Sequence, residues 1–237
     1  MKIKIGNCGW SYYNPPEGWE ESGTKLQAYA RAFGLVEINS TFYGIPKIET
    51  AAKWRQQADE VRKSFEFTVK VSQIITHKDR FSGKASVAAF SLMKKIGHEL
   101  RAKVLLFQSP DSFMPSEDNL KRACGFFGRI DPEDFILAWE VRWKDDWKRE
   151  IVGRIFSKYG ISQCVDPLRQ DCYHSEGVTY YRLHGFGSPM YNYQFSEQEL
   201  RQLAEKISSQ RKPVYVLFNN STCYSDALRL EEIFRRP

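Results

Sequence analysis

The feature that most constrains this chain is a regular alternation of two hydrophobic periods. Strand-like runs occur at 2–6 (KIKIG), 35–39 (LVEIN), 65–71 (FEFTVKV), 103–108 (KVLLFQ), 135–141 (FILAWEV), 162–166 (SQCVD), 179–185 (TYYRLHG) and 213–219 (PVYVLFN). Stretches of helical spacing lie between them at 25–33, 49–63, 86–100, 116–127, 147–159 and 196–208, with one more at 225–234. Only 167–178, PLRQDCYHSEGV, reads as loop. Strictly alternating strands and helices imply a parallel sheet, and eight units within 237 residues imply closure. The expected fold is therefore α/β, a TIM-like (β/α)8 parallel barrel with a weak or missing helix after strand six. An open doubly wound sheet fits less well, because no Gly-rich dinucleotide fingerprint follows the first strand. No linker, low-complexity segment or short repeat interrupts the pattern, so residues 1–237 read as one barrel domain.

Barrel geometry gives the strand residues a direction, since alternate side chains point to the helices or to the barrel axis. Ile3, Ile5, Val36, Ile38, Phe65, Phe67, Leu105, Phe107, Trp139, Val165, Tyr181, Leu183, Val216 and Phe218 share the outward parity. The opposite parity reads as polar. Toward the C-terminal strand ends it carries Glu37, Asn39, Lys70, Gln108, Glu140, Arg142, Asp166, Arg182, His184 and Asn219. Barrel enzymes keep their sites at that mouth, and a charged interior there is costly relative to apolar packing. A purely structural network remains the competing reading, in which Glu37, Glu140 and Asp166 pair with Lys70, Arg142 and Arg182 without contributing to function.

The loops at the same end add to the picture. HGFGSPMYNY follows strand seven, and NNSTCYSDAL follows strand eight and enters a helix through Ser221, Thr222 and Ser225. Phosphate sites in barrels are commonly built from these two loops and a helix N-terminus, and Gly185 and Gly187 permit close backbone approach. Aromatic residues gather in the loops as well: Trp10, Tyr12, Tyr13, Phe42, Tyr43, Trp143, Trp147, Tyr191 and Tyr193. Rings above a polar site suit stacking on a sugar or nucleobase, and loop packing is the alternative.

Composition excludes other classes. Thirty-five Lys and Arg against 29 Asp and Glu leave +6, compatible with phosphate-bearing partners, yet no run reaches the length of a binding tail. The five cysteines form no C-x-x-C pair and read as reduced thiols of a cytoplasmic protein. MKIKIGNCGW enters a strand-like run without an apolar leader, and nowhere do 18 consecutive apolar residues occur, so neither a signal peptide nor a membrane contact is expected. Glu37, Glu140, Asp166, His184 and His77 are ligand types, but no H-x-x-x-H or H-E-x-x-H spacing exists and Lys70, Arg142 and Arg182 offer the acids cations instead. No cofactor and no metal ligand set is expected, with a divalent metal as the open alternative. There is no G-x-S-x-G elbow, which leaves Cys8 as the remaining candidate nucleophile.

Seven ordered motifs, GNCGWSY (6–12), VEINSTFY (36–43), FEFTVKVSQIITH (65–77), KKIGHELRAKVLLFQSPDSF (94–113), WEVRWKDDW (139–147), YYRLHG (180–185) and YVLFNNS (215–221), resemble the signatures of the YecE-like family, a widespread family of unknown function. The resemblance covers nearly the whole chain. It implies a TIM-like barrel akin to the endonuclease IV and xylose isomerase type, without an established activity. Its signature positions fall on Trp10, Glu37, Asn39, Lys70, Thr76, His77, Gln108, Glu140, Arg142, Arg182, His184, Asn219 and Asn220. This chain departs from the pattern in the first loop, YNPPEGW, and in carrying Trp143 where the pattern has His.

Together these readings point to an enzyme acting on an anionic, phosphorylated or sugar-containing substrate, of hydrolase or lyase type. Lys70, Arg142 and Arg182 would hold the anion, and Glu37, Glu140, Asp166 and His184 would manage protons. Trp10, Asn39, His77, Gln108, Gly185, Asn219 and Asn220 complete the substrate contacts. The second reading is a binding protein for nucleic acid or a metabolite, in which no bond is broken.

Overall fold

The computed structural model describes residues 2–15, 23–142 and 146–235. Trp143 and residues 16–19 of the first-loop departure lie outside the described residues. Eight strands, β1 (Ile3–Asn7), β2 (Leu35–Ile38), β3 (Glu66–Lys70), β4 (Val104–Gln108), β5 (Ile136–Glu140), β6 (Ile161–Val165), β7 (Thr179–Leu183) and β8 (Val214–Phe218), close in chain order. All neighbours are parallel, and β8 returns to β1 from Ile3↔Val214 to Asn7↔Phe218. The β1–β2 and β6–β7 ladders are the short ones, registered only at Gly6↔Leu35 and Asn7↔Val36, and at Cys164↔Tyr180 and Val165↔Tyr181.

The helices are α1 (Lys25–Ala32), α2 (Ser40–Tyr43), α3 (Ile48–Val61), α4 (Lys84–Glu99), α5 (Glu117–Phe127), α6 (Arg149–Lys158), α7 (Glu197–Ser208) and α8 (Cys223–Arg235). Their starts are chemically marked. Thr24 and Gln27 form a reciprocal capping box on α1, Ser116 caps α5, and Ser196 with Glu199 boxes α7, each satisfying N–H groups that a helix start leaves open. Ser225, by contrast, lies inside α8, which begins at Cys223. Between β6 and β7 there is no helix. Segment 167–178 folds back on β6 instead: Gln163 N donates to His174 O (2.9 Å), Tyr173 N to Gln163 Oε1 (2.7 Å) and Glu176 N to Ser162 Oγ (2.9 Å).

Two apolar cores follow from strand parity. The outward residues fill the layer between sheet and helices, where Phe67, Phe107, Trp139, Leu183 and Phe218 have no solvent exposure. A smaller core of Leu35, Val104, Leu106, Ala138, Cys164, Val178, Tyr180, Tyr215 and Leu217 fills the barrel. The inward parity is thus apolar at mid-barrel and polar at the ends, where the sequence suggested polarity throughout. At the N-terminal end Glu66 closes the barrel, accepting from Tyr215 Oη at 2.6 Å and pairing with Lys4 at 2.7 Å. Charge is thus confined to the two ends, and packed side chains between them form the floor of the C-terminal mouth.

Two short elements sit at that mouth: α2 and a π-helical turn, Ile74–Lys78. The Thr41 hydroxyl lies 2.8 Å from Ile38 O and 2.7 Å from Lys70 O, which ties α2 to the ends of β2 and β3. Among the described residues, no helix is long and apolar enough to cross a membrane.

Candidate active site at the barrel mouth

Arg182, on β7, is the centre of the mouth and has no solvent exposure. Its Nη2 donates to Glu37 Oε1 of β2 at 2.9 Å and its Nη1 to Glu140 Oε2 of β5 at 2.5 Å. The Cys8 sulfur lies 3.6 Å from Nη2. Tyr180, one layer below on β7, donates its hydroxyl to Glu37 Oε2 at 2.9 Å and lies 2.8 Å from Thr68 Oγ1. Charges buried this deeply persist only when paired and hydrogen-bonded, and Arg182, Glu37 and Glu140 each have a counter-charge.

Glu140 serves several cations. Beyond Arg182, its Oε1 lies 3.4 Å from His184 Nε2 and 3.7 Å from Arg142 Nη1. Burial alone would raise this carboxyl, but Arg182, His184 and Arg142 together hold it well below the usual carboxylate range. Arg142 also faces Asp111 of the loop after β4, Nε to Oδ1 at 3.3 Å. Asn219 Nδ2 lies 3.4 Å from His184 Nδ1, on the side of the ring away from Glu140. The Tyr191 ring covers the imidazole edge-on at 5.5 Å.

Asp166 is placed differently from the other acids. Its Oδ2 accepts the backbone N–H of His184 at 3.0 Å and its Oδ1 that of Leu168 at 3.1 Å. Burial pushes its carboxyl upward, with the His184 amide opposing. It fixes the strand end that carries His184 and stands beside Arg169, whose guanidinium donates to Gly185 O and lies 4.6 Å from the Phe186 ring centroid. Gly185 itself adopts φ +78° with Tyr193 packed where a Cβ would stand, so a larger residue cannot occupy the position.

Lys70 ends β3 with 8% exposure. Its Nζ lies 4.1 Å from the Phe42 ring centroid, and His77 meets the same ring edge-on at 4.9 Å. Burial, with Arg182 acting in the same direction, lowers Lys70 to about 8. Burial likewise lowers His77 to about 4, with Lys70 next, so at neutral pH its imidazole is uncharged; its Nδ1 lies 2.8 Å from Thr76 Oγ1. Gln108, buried at the end of β4 opposite Glu140, and Asn39, which donates to Cys8 O at 3.2 Å, complete the ring of strand ends.

Some expected contacts lie elsewhere. Asn220 donates to Tyr193 O, Thr222 Oγ1 and Asp226 Oδ2 within the turn into α8, where it organises the loop. Trp10 packs edge-on against Trp54. Tyr13 and Trp147 are buried in loop and helix packing, and Phe42 lies under Lys70. Tyr12 (86% exposed), Tyr43 (76%) and Tyr191 (41%) reach solvent, joined by Phe186 (44%). Burial and Glu37 push the Cys8 thiol well up, with Arg182 opposing. Cys8 is therefore a thiol at neutral pH, a poor nucleophile. Among the described residues, no three of His, Cys, Asp and Glu converge as a metal site; arginine stands between the carboxylates instead.

The family described as Protein of unknown function DUF72 matches residues 4–236. The chain belongs to the DUF72 family. Among its curated relatives, UPF0759 protein YecE of Escherichia coli O157:H7 is 34% identical over 187 residues, covering 74% of this chain and 64% of that protein. UPF0759 protein YunF of Bacillus subtilis (strain 168) is 27% identical over 263 residues, covering 93% and 89%. A DUF72 family protein from Thermotoga maritima superposes with TM-score 0.74 and 25% identity over the full length of both chains. Endonuclease IV from Thermus thermophilus (TM-score 0.53, 13% identity, 99% of this chain and 98% of that one) shares the barrel alone.

Tyr180, Thr68, Arg169 and Asp111 of the candidate site were missed in the sequence. Tyr180 and Thr68 lie on the inward parity one layer below Arg182 and Lys70, and extending that parity inward would have found them. Arg169 carried no such signal, because it sits in an irregular loop and reaches Gly185 only through the tertiary fold.

Proposed function

We propose that this DUF72 protein is an enzyme acting on an anionic, phosphorylated or sugar-containing substrate at the C-terminal mouth of its barrel. The observation that carries the reading is that one carboxylate, Glu140, is shared by Arg182, His184 and Arg142. An anion entering the mouth would meet cationic side chains there and accept charge-assisted hydrogen bonds from them. Arg142 and Lys70 face the mouth and supply the anion contacts. Arg182, with both amino groups on carboxylates, holds Glu37 and Glu140 in place rather than reaching the ligand. The Glu140–His184 pair is the proton-handling unit: a carboxylate held ionised beside an imidazole can orient that imidazole and stabilise its charged form while it exchanges a proton with substrate. The exposed rings of Tyr12, Tyr43, Phe186 and Tyr191 favour a sugar or base among the ligand's parts.

A thermal-shift screen with sugar phosphates, nucleotides and short single-stranded DNA tests the reading, followed by titration of any hit against Arg142→Met. A sugar phosphate or nucleotide should stabilise the wild type, and the variant should bind it roughly ten- to a hundredfold more weakly, the loss of one charge-assisted contact of about 1.5–3 kcal/mol. Equal affinity for both proteins would remove Arg142 from the site. Stabilisation by DNA alone, weakening by orders of magnitude with salt, would replace the enzyme by the nucleic-acid-binding reading.

A further inference from the structure

The Lys70 amine is held unlike the arginines of the mouth. Arg142, Arg169 and Arg182 each stand within ion-pair distance of a carboxylate. Among the described residues the Lys70 amine has neither a hydrogen bond nor an ion pair, although only 8% of the residue is exposed. One wall is the Phe42 face, 4.1 Å from Nζ, and His77 packs on the same ring. The charged and titratable groups that act on it are Arg182 from β7, Glu37 from β2, Glu140 from β5, Cys8 after β1 and His77 from its own following turn. An ammonium in this position has given up most of its water without gaining an ion pair, beside a cation of its own sign; the Phe42 face, Glu37 and Glu140 act the other way without cancelling these two effects. Both conditions favour the free amine, and a desolvated lysine next to a second cation is a way of making amine nucleophiles at neutral pH.

We propose that Lys70 is a carbonyl-reactive amine that forms an imine with an aldehyde or ketone group of a phosphorylated substrate, an inference that rests on the mouth being a substrate site. The Nζ lone pair attacks the carbonyl carbon, a C–N bond forms, and the C=O π pair moves to oxygen. One nitrogen proton transfers to that oxygen. An acid supplies a second proton, water leaves as the nitrogen lone pair closes C=N, and the conjugate base takes the remaining nitrogen proton. The sum is amine plus carbonyl giving imine plus water, with no oxidant or reductant consumed. The apolar Phe42 face beside Nζ disfavours the reverse addition of water, and Arg142, which like Lys70 acts on His77, is placed to keep the phosphate.

Incubating the protein with D-glyceraldehyde 3-phosphate and sodium cyanoborohydride, whose hydride reduces the imine to a stable secondary amine, followed by peptide mapping, tests this. A single adduct should map to Lys70, forming roughly ten- to a hundredfold faster at pH 7 than on exposed lysines because of its larger free-amine fraction. Lys70→Arg, which keeps the charge but not the nucleophile, should abolish it with an unchanged melting temperature. Adducts spread over exposed lysines and unchanged by Lys70→Arg would overturn the proposal. Should the variant not fold, the wild-type pH–rate profile decides, since modification of Lys70 must level off at a lower pH than that of exposed lysines. Calorimetry with glycerol 3-phosphate, which has no carbonyl, separates the two readings. Binding without a Lys70 adduct leaves the anion site and sinks the imine; an adduct without binding does the reverse; neither result sinks both.

Discussion

At Arg182 a guanidinium with no solvent contact joins two carboxylates from two other strands of the barrel. Its strand parity placed it inward, but parity alone does not tell a ligand contact from a counter-ion; the distances put both of its amino groups on carboxylates. Removing one member of a buried ion network leaves the others uncompensated, so Arg182→Met should destabilise the fold by about 3–5 kcal/mol at pH 7. The pH dependence has a definite sign. Glu140 has a folded value below its unfolded one, so its contribution is present above the unfolded carboxylate value, about 4.3, and is lost as pH falls through the folded value. The gap between wild type and variant in urea unfolding should therefore be widest above about pH 5 and narrow toward about pH 3. A gap that stays constant, or a variant as stable as the wild type at pH 7, would show that Glu140 does not depend on Arg182.

Helices and strands of ordinary length were legible because each carries its period over enough residues to be counted, and all eight strands lie within two residues of their expected bounds. The helix-free stretch after β6 was legible as well, since PLRQDCYHSEGV lacks a periodic apolar face. What escaped was short. The four-residue α2 and the π-helical turn at 74–78 are too brief to show a period, and they exist because Thr41 bridges two strand ends and because Asp79, the residue after the turn, accepts from the Gly83 and Ser86 amides at the start of α4. These are the elements that place Phe42 and His77 around Lys70, which is why the character of Lys70 could not be read from its strand. At α7 the start signal was plain. Ser196 Oγ accepts from Glu199 N at 3.2 Å, and Glu199 Oε2 accepts from Ser196 N at 2.7 Å. Ser196→Ala should lower stability by about 1 kcal/mol, with Ser196→Asp restoring most of it; a loss shared equally by both variants would deny the hydroxyl its capping role.

For the whole molecule the decisive backbone approach is between β1 and β2. A Cβ on Gly6 would stand 2.1 Å from Leu35 O, and a backbone oxygen in a ladder cannot rotate away as a side chain does. Gly6→Ala should therefore exceed the usual cost of overpacking, about 1–3 kcal/mol, and appear as a drop in the denaturation midpoint; a variant within about 0.5 kcal/mol of wild type, the range of an ordinary surface change, would show that the strands shift freely there. The two short ladders, β1–β2 and β6–β7, divide the ring into an arc of β2 to β6 and an arc of β7, β8 and β1. Arg182 belongs to the second arc, and both of its carboxylates belong to the first. The guanidinium is thus a tie-rod across the two narrowest joints of the cylinder, and the side chains that shape the mouth are also the ones that keep the cylinder round.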